Sequence, residues 1–248
     1  MAESRSGTTY DLSQRVVAIP GGFGDLGRAA TLAFAAAGAT VIAAGASDHS
    51  AALATLRSAA DTAGDHIHAA QVNMTVEGEV AAFAQQIVDQ HGRLDVLVNL
   101  IGGWKAGKPV HELDSATWHS MLDLNLHPAF LLAHYCALPM VRQQWGRIIH
   151  VSSRAALTGR RNAAAYAVAK QAVVTLAEAQ AEELREAHVT VNAILPSIID
   201  TPANRAGMPR ADFSRWPKPE EIARVLLFLA SDDAQLISGA TIPVYGLA

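Results

Sequence analysis

The chain has 248 residues, half of them hydrophobic and 17% charged, and its formal net charge is −4. This length and composition suit a large α/β domain whose core needs no disulfide or metal, and the scattered Lys and Arg residues argue against a nucleic-acid partner. The single cysteine, Cys136, and the lack of an apolar run long enough to cross a membrane predict a cytoplasmic protein.

Short apolar segments alternate with longer Ala-rich segments along the whole chain. The apolar segments are predicted as strands at Val16–Ile19, Thr40–Ala43, Ile67–Val72, Val96–Ile101, Arg147–Val151, Val189–Ile194 and Thr241–Val244. Helices are predicted near residues 25–37, 48–63, 76–91, 115–143, 163–187 and 219–230. Because most of the strands are apolar on both faces, the alternation predicts an α/β doubly wound parallel sheet, a Rossmann fold. We expect one domain over residues 1–248, with a flexible start over 1–13.

A glycine-rich turn joins the first predicted strand to the first predicted helix. Its residues are Gly21, Gly22, Phe23, Gly24, Asp25, Leu26 and Gly27. In this position the glycines would let the backbone approach a pyrophosphate held at the helix N-terminus. A tight strand-to-helix turn without a ligand would need the same glycines, and this alternative stays open. The Asp25 carboxylate would repel a diphosphate, so we expect it to face solvent, where the helix dipole favours it.

Tyr166 and Lys170 lie four residues apart at the start of a predicted helix, so their side chains share one face. A free tyrosine has a pKa near 10, and a neighbouring ammonium would lower it towards the range of a useful acid–base catalyst. Ser153 follows the predicted strand Arg147–Val151, where its hydroxyl could hold a substrate oxygen. These three residues predict a proton-transfer site.

Together these residues resemble the short-chain dehydrogenase/reductase family, over essentially the whole chain. Five features match the family's motifs: the glycine turn, the Asn99–Gly102 segment, Asn125 in a long helix, the Ser153–Tyr166–Lys170 set and the Pro196–Thr201 segment. The resemblance implies an enzyme that uses NAD or NADP to move a hydride between the nicotinamide and a carbonyl or alcohol substrate. It also implies the family's dimers or tetramers, assembled through the helices near 115–143 and 163–187.

The resemblance also implies a division of roles. Tyr166 would be the general acid or base, Lys170 would lower its pKa and bind the nicotinamide ribose, and Ser153 would hold the substrate oxygen. Asn125 would connect Lys170 to a water chain. Besides the glycine turn, Tyr166 and Lys170, the implied cofactor contacts are Asn73, Met74, Asn99, Ile101, Gly102, Pro196, Ile199 and Thr201.

The chain departs from the family pattern at Asp25, Leu100 and Ser197, where the family has glycine, asparagine and glycine. Locally, the glycine turn, Gly102-Gly103-Trp104 and the segment Asp200–Trp216 resemble dihydropteridine reductase of the same superfamily, while Ser153 departs from that enzyme. Two alternatives to a carbonyl reductase therefore stay open. One is an enzyme like dihydropteridine reductase, and the other is an inactive relative that binds dinucleotide as a sensor.

The second predicted strand ends in Ala43–Asp48, which has neither an acidic residue nor an arginine in register to select the cofactor. Small residues there leave room for a 2′-phosphate, and Ser47 could donate a hydrogen bond to it. This favours NADP slightly over NAD. The histidines show no metal-ligand spacing, so no metal site is predicted.

Residues that flank the nicotinamide position suggest the substrate. Trp104 and Trp216, with Met208 and Phe213, favour a flat or aromatic compound, although they could instead only pack a lid. Arg161, beside Arg160, could meet an anionic group or be a solvated surface residue. The segment Pro196–Pro217 has no regular pattern and is predicted to be a mobile lid.

Overall fold

The computed structural model describes residues 10–105 and 107–248. Its strands are β1 (Val16–Pro20), β2 (Thr40–Gly45), β3 (Ile67–Gln71), β4 (Val96–Asn99), β5 (Gly146–Val151), β6 (Val189–Pro196) and β7 (Thr241–Val244). All pair in parallel in a single sheet of order β3-β2-β1-β4-β5-β6-β7. This confirms the predicted doubly wound α/β fold.

Helices cover both faces of the sheet. They are α1 (Asp25–Ala36), α2 (Ser50–Ala59), α3 (Glu77–His91), α4 (Ser115–Asn125), α5 (His127–Gln143), α6 (Ala164–Glu183), α7 (Pro202–Gly207) and α8 (Pro219–Ala230). One core packs α3, α5 and α6 against the sheet around Phe83 and Leu131, and the other packs α1 and α8 around Phe34 and Leu226. The strands β1 and β6 are buried along their whole length, as their mainly apolar sequences favour, and β6 also buries Thr190 and Asn192.

Three predicted elements differ from the structure. The segment 115–143 forms two helices, because Pro128 lacks an N–H and its ring would clash with the carbonyl of Leu124 in a continuous helix. Pro128 is tolerated in the first turn of a new helix, so α5 begins at His127. The predicted strand Val96–Ile101 ends at Asn99, and Pro196–Pro217 is not without regular structure, since it contains the last residue of β6 and the whole of α7.

Residues 1–9 of the predicted flexible start lie outside the described residues. Leu12 belongs to the same predicted start but is described by the structure. It is buried in the core, and its N–H donates to Ala37 O at 2.8 Å. In the part of the chain that the structure covers, no helix has the length and apolar character needed to cross a membrane.

The strand order places the functional segments together. It reverses between β1 and β4, so the loops leaving their carboxyl ends diverge and open a crevice. The glycine turn follows β1, the 100–105 segment follows β4, Ser153 follows β5, and residues 197–217 follow β6. Residues far apart in sequence therefore meet at one edge of the sheet.

Candidate active site

Close packing explains most of the glycines in the turn. Gly21 has φ +85°, and its N–H donates to Ala44 O at 2.8 Å. A Cβ on Gly22 would lie 2.7 Å from the Cβ of Ala43, and one on Gly27 would overlap the Gly21 carbonyl oxygen. Gly24 is different, because its nearest neighbour would be Gly21 O at 3.6 Å, an ordinary contact. Within residues 10–105 and 107–248, no contact requires glycine at position 24.

The first turn of α1 offers donors for an anion. Its N-cap residue, Gly24, has no side chain to accept a hydrogen bond from the first N–H groups of the helix. Asp25 is exposed at the first helical position, as predicted for a carboxylate that faces solvent. The start of α1 therefore combines backbone N–H donors that no side chain caps with a glycine that its packing does not demand.

A buried polar chain holds the segment after β4. The Asn99 carboxamide oxygen accepts from the Ile101 N–H at 3.0 Å, and its Nδ2 lies 3.1 Å from His150 Nδ1 on β5. Burial lowers the pKa of His150 to about 4, so the ring is neutral and Nδ1 accepts from Asn99. Leu100, in place of the family's second asparagine, packs against the core instead of joining this chain.

A second buried polar contact lies between α5 and α6. Gln180 donates from Nε2 to Ala133 O at 2.7 Å, which links the two helices. His150 Nε2 and Gln180 Oε1 are buried and have no hydrogen-bond partner of normal geometry among the described residues. Sequence reasoning missed both residues, although a histidine inside an otherwise apolar strand was a visible sign.

Asn125, at the end of α4, holds Gly103 by two hydrogen bonds. Its Oδ1 accepts from Gly103 N–H at 3.0 Å, and its Nδ2 donates to Gly103 O at 3.1 Å. A Cβ on Gly102 would lie 2.6 Å from Lys170 Nζ and 2.7 Å from Asn125 Oδ1. Gly102 therefore lets Asn125 and Lys170 approach the same stretch of backbone, and the structure brings these predicted residues together.

Lys170 and Tyr166 lie one turn apart on α6, but Lys170 is not among the groups that lower the pKa of Tyr166. Lys170 is buried and donates to Val151 O at 3.0 Å, and burial lowers its pKa to about 8. Burial raises the pKa of Tyr166, while the Ser153 side chain and the charge of Arg160 partly lower it. The prediction that Lys170 lowers the pKa of Tyr166 is thus wrong for this arrangement, because the ammonium is held by the end of β5.

Ser153 begins a short 3-10 turn after β5. Its Oγ accepts from the Ala155 N–H at 3.2 Å, which fixes the hydroxyl at the carboxyl end of the sheet. This position keeps the hydroxyl near the phenol of Tyr166.

The two tryptophans predicted to contact substrate have different environments. The Trp104 ring meets Tyr166 edge-to-face with centroids 4.9 Å apart, and 53% of the residue is exposed. It therefore offers an apolar wall beside the phenol. Trp216 is only 7% exposed and packs on Phe213 with centroids 5.0 Å apart. This environment fits the alternative that Trp216 packs the segment onto the body.

The segment after β6 is tied to its surroundings. Thr201 Oγ1 accepts from Asn204 N–H at 3.2 Å, and Asn204 Nδ2 donates to Ile199 O at 2.8 Å. Ser197 Oγ donates to Tyr245 O at 2.7 Å, and Arg215 Nε donates to Leu247 O at 2.9 Å. These contacts hold both ends of the segment.

A cavity of about 1030 Å³ joins this segment to the glycine turn. It lies between α1, α7 and α8, and Asp25 and Thr201 are among its lining residues. A ligand lying over the N-terminus of α1 would reach Thr201 through it.

The far end of the crevice is occupied by an aromatic pair that sequence reasoning missed. Phe23 of the glycine turn stacks on His49 with ring centroids 4.1 Å apart and planes at 16°. A Cβ on Gly45 would lie 2.9 Å from His49 Cδ2, so the space predicted above the small residues of β2 is filled by this imidazole. His49 Nε2 lies 3.3 Å from Ser47 Oγ.

Asn73 and Met74 follow β3 on the same side of the crevice. Asn73 Oδ1 accepts from the Thr75 N–H at 3.1 Å and from Thr75 Oγ1 at 2.8 Å, so the amide shapes its own turn. Met74 is buried in the core below it.

Comparisons with known proteins agree with this geometry. The family model described as enoyl-(acyl carrier protein) reductase matches residues 24–246. The 3-oxoacyl-[acyl-carrier-protein] reductase FabG of Thermotoga maritima is 31% identical over an alignment of 243 residues that covers 95% of this chain and 98% of that protein. A short-chain type dehydrogenase/reductase from Mycobacterium ulcerans has a TM-score of 0.88 at 30% identity, covering 96% of this chain and 90% of that one. The structure of ElxO with NADP bound has a TM-score of 0.87 at 25% identity, covering 94% of this chain and 97% of that one.

The sheet topology, the glycine turn and these matches define a dinucleotide-dependent oxidoreductase. The chain belongs to the short-chain dehydrogenase/reductase family, as the resemblance in its sequence implied, and it is an NAD(P)-dependent enzyme of that family.

Proposed function

We propose that this protein reduces a carbonyl substrate to an alcohol, or oxidises the alcohol, with Tyr166 as the general acid or base. The observation that carries the proposal is the convergence of Ser153, Tyr166, Lys170 and Asn125 at the carboxyl edge of the sheet, beside the glycine turn. No single element contains this set, since it comes from the β5 end, α6 and the α4 end.

The proposed chemistry assigns one proton transfer to the chain. When bound, the nicotinamide supplies a hydride to the carbonyl carbon in reduction and accepts one in oxidation. Tyr166 Oη donates the proton to the carbonyl oxygen in reduction and takes it back in oxidation. The Ser153 hydroxyl holds that oxygen and favours the ionised phenol, which offsets part of the rise in pKa that burial causes.

The dinucleotide would be held along the crevice by groups already in place. The N–H groups at the start of α1 and the open space at Gly24 suit the diphosphate. Lys170 would bind the nicotinamide ribose, and Thr201 with the backbone near Ile199 would hold the carboxamide. Pro196, Gly102 and Ile101 would line the nicotinamide position, and Asn73 would line the adenosine side. Met74 and Asn99, whose side chains are buried, would contact the cofactor only through their backbone.

We further propose that NADP is preferred over NAD. Asp48, a carboxylate near the end of β2, accepts from Ser50 N–H at 2.9 Å and from Ser50 Oγ at 3.3 Å, so it is directed to the start of α2. Among the residues that the structure describes, this leaves no acidic acceptor for a ribose hydroxyl pair at that strand end. Ser47 Oγ and His49 Nε2 lie together there and are both able to donate to a 2′-phosphate.

Cofactor preference is testable with nucleotide fragments. We expect 2′,5′-ADP to bind about tenfold more tightly than 5′-ADP by isothermal titration calorimetry, because charge-assisted hydrogen bonds to a phosphate contribute about 1.5–3 kcal/mol. The Ser47→Ala/His49→Ala double variant should lose this difference. His119→Ala, an exposed histidine on α4, is the matched control and should keep it. Tighter binding of 5′-ADP to the unaltered protein would contradict the proposal.

The reaction itself is tested by titrating the protein with NADH and with NADPH while nicotinamide fluorescence is recorded. Aromatic and aliphatic ketones are then added. Cofactor binding followed by oxidation of the reduced nicotinamide supports the proposed function. Binding without turnover of any carbonyl or pterin compound would instead support the inactive sensor. Turnover of quinonoid dihydropterin alone would support the dihydropteridine-reductase-like alternative.

A homo-oligomer with two-fold symmetry, a dimer or tetramer, is our proposal for the assembly. Apolar side chains are exposed on the outer faces of α4, α5 and α6, among them Leu124, Phe130, Leu138 and Val168. Light scattering at micromolar concentration should give a mass of two or four chains, and Phe130→Glu should lower it without changing the circular dichroism. A monomer at that concentration would exclude the assembly.

A further inference from the structure

We propose that the mouth of the Tyr166 cleft is an anion-binding subsite, and that the substrate is a flat carbonyl compound, or its alcohol, that carries a carboxylate away from the reacting carbon. The inference rests on the proposed function and adds the substrate class. It is argued from the distribution of charge, from the contact between two loops, and from the aromatic wall beside the phenol.

Charge is distributed unevenly along the chain. The protein has 23 acidic residues and a net charge of −4, yet no Asp or Glu occurs in 96–111 or 124–177, the two ranges that hold most of the site. The cationic residues of these ranges at the carboxyl edge are Lys105, Lys108, Arg154, Arg160, Arg161 and Lys170. A locally positive cleft in an acidic protein attracts an anionic ligand and raises its local concentration.

Two loops bring four of these cations to the same rim. The Gly107 N–H donates to Asn162 O at 2.8 Å, which joins the loop after β4 to the loop before α6. Lys105 and Lys108 lie on the first loop, and Arg160 and Arg161 lie on the second. All four are exposed and, within residues 10–105 and 107–248, none forms a salt bridge.

Several other charged side chains near this rim already have partners within the protein. Lys108 lies near Asp114, whose pKa it helps to lower, and Arg154 donates to Ala248 O at 2.7 Å. On the segment after β6, Asp200 is bonded to Arg205, and Asp212 accepts from Ser214. Arg160 and Arg161 are therefore the cations best placed to serve a ligand.

The rim is close to the reacting group. The charge of Arg160 is near enough to help lower the pKa of Tyr166. The ring centroids of Trp104 and Tyr166 are 4.9 Å apart. A flat compound lying along Trp104 with its carbonyl at Tyr166 would have its far end towards the rim. A carboxylate there meets a guanidinium, which can bind it through two parallel hydrogen bonds.

The experiment compares two flat ketones that differ in charge, 4-acetylbenzoate and its methyl ester. Binding to the protein with NADPH is measured by isothermal titration calorimetry at low ionic strength, together with turnover. We expect the acid to bind about fivefold more tightly than the ester, since two partly screened charge pairs each add a modest attraction. Added salt should reduce the difference.

Variants locate the effect. Arg160→Ala/Arg161→Ala should bring the ester-to-acid ratio of dissociation constants down about fivefold relative to the unaltered protein. Because the ratio is compared between two protein variants, the difference in hydrophobicity between the acid and the ester cancels. Arg185→Ala, an exposed arginine that pairs with Glu182 at the end of α6, is the matched control and should leave the ratio unchanged.

The outcomes separate this inference from the proposed function. Reduction of both ketones with no preference for the acid, or a preference that survives in the double variant, overturns the anion subsite and leaves the reductase proposal standing. An Arg-dependent preference in binding without any turnover supports the subsite and counts against the proposed reaction.

Discussion

Replacing Tyr166 with phenylalanine is expected to lower turnover by a factor of about 100 or more, the usual contribution of a positioned acid–base group. The substitution removes only the phenolic oxygen. The ring that meets Trp104 edge-to-face at 4.9 Å is retained, so the packing of α6 should not change. Steady-state kinetics on a good ketone substrate measures the effect, with cofactor affinity followed by nicotinamide fluorescence.

Tyr135→Phe is the matched control for this experiment. Its hydroxyl donates to Glu77 at 2.8 Å in an exposed position, and Tyr135 lies on α5, which carries none of the four proposed catalytic residues. Removing it should change neither turnover nor cofactor affinity. If Tyr166→Phe retained most of the original rate while Tyr135→Phe behaved as expected, Tyr166 would not be the proton donor. A fall in melting temperature together with activity would point to a structural role instead.

The second large effect is expected from Gly27→Ala. The added methyl group would overlap the carbonyl oxygen of Gly21 and lie 2.6 Å from the carbonyl carbon of Gly22, so only movement of the backbone can relieve the clash. We expect the free energy of unfolding to fall by about 3 kcal/mol, at the upper end of the usual range for overpacking. Thermal unfolding should show a drop of roughly 10 °C, and dinucleotide binding should be lost.

Gly24→Ala separates the needs of the fold from those of the ligand. Gly24 has φ −73°, which alanine adopts freely, and the new methyl group would be 3.6 Å from its nearest neighbour. Its melting temperature should therefore stay close to that of the unaltered protein. Cofactor affinity should nevertheless fall at least about tenfold if a diphosphate lies against this position, because the methyl group would take the space that the ligand needs. Unchanged affinity would mean that the cofactor does not approach the backbone at Gly24.

The local pattern of the sequence was sufficient for the fold and for much of the site. Strand predictions such as Val16–Ile19 and Val189–Ile194 fall on β1 and β6, because strands buried on both faces are mainly apolar, with Thr190 and Asn192 as the polar exceptions in β6. The resemblance identified Asn125, Ser153 and Tyr166, and the structure places them at one edge of the sheet with Lys170. Pro128 was also visible, but whether it bends, begins or ends a helix depends on neighbours that periodicity does not report.

Other properties arise from contacts between elements that are distant in the chain. Neither His150 nor Gln180 carries a motif, and their buried hydrogen bonds, His150 with Asn99 and Gln180 with Ala133, exist only because β4, β5, α5 and α6 pack together. The space above Gly45 looked open from its small neighbours, yet His49 fills it by stacking on Phe23 of another loop.

The sequence by itself thus determined the class of fold and the glycine turn, and it supplied the proposed acid–base residues, since these depend on residue type and short spacing. Only the tertiary structure decided the direction in which the pKa values of Tyr166 and Lys170 shift. Desolvation lowers the pKa of Lys170 and raises that of Tyr166, and the end of β5, rather than Tyr166, holds the ammonium. Burial and the partner that a charge meets are set by packing, so a helical spacing of four residues predicted the proximity of the two side chains but not the direction of the pKa shift of Tyr166.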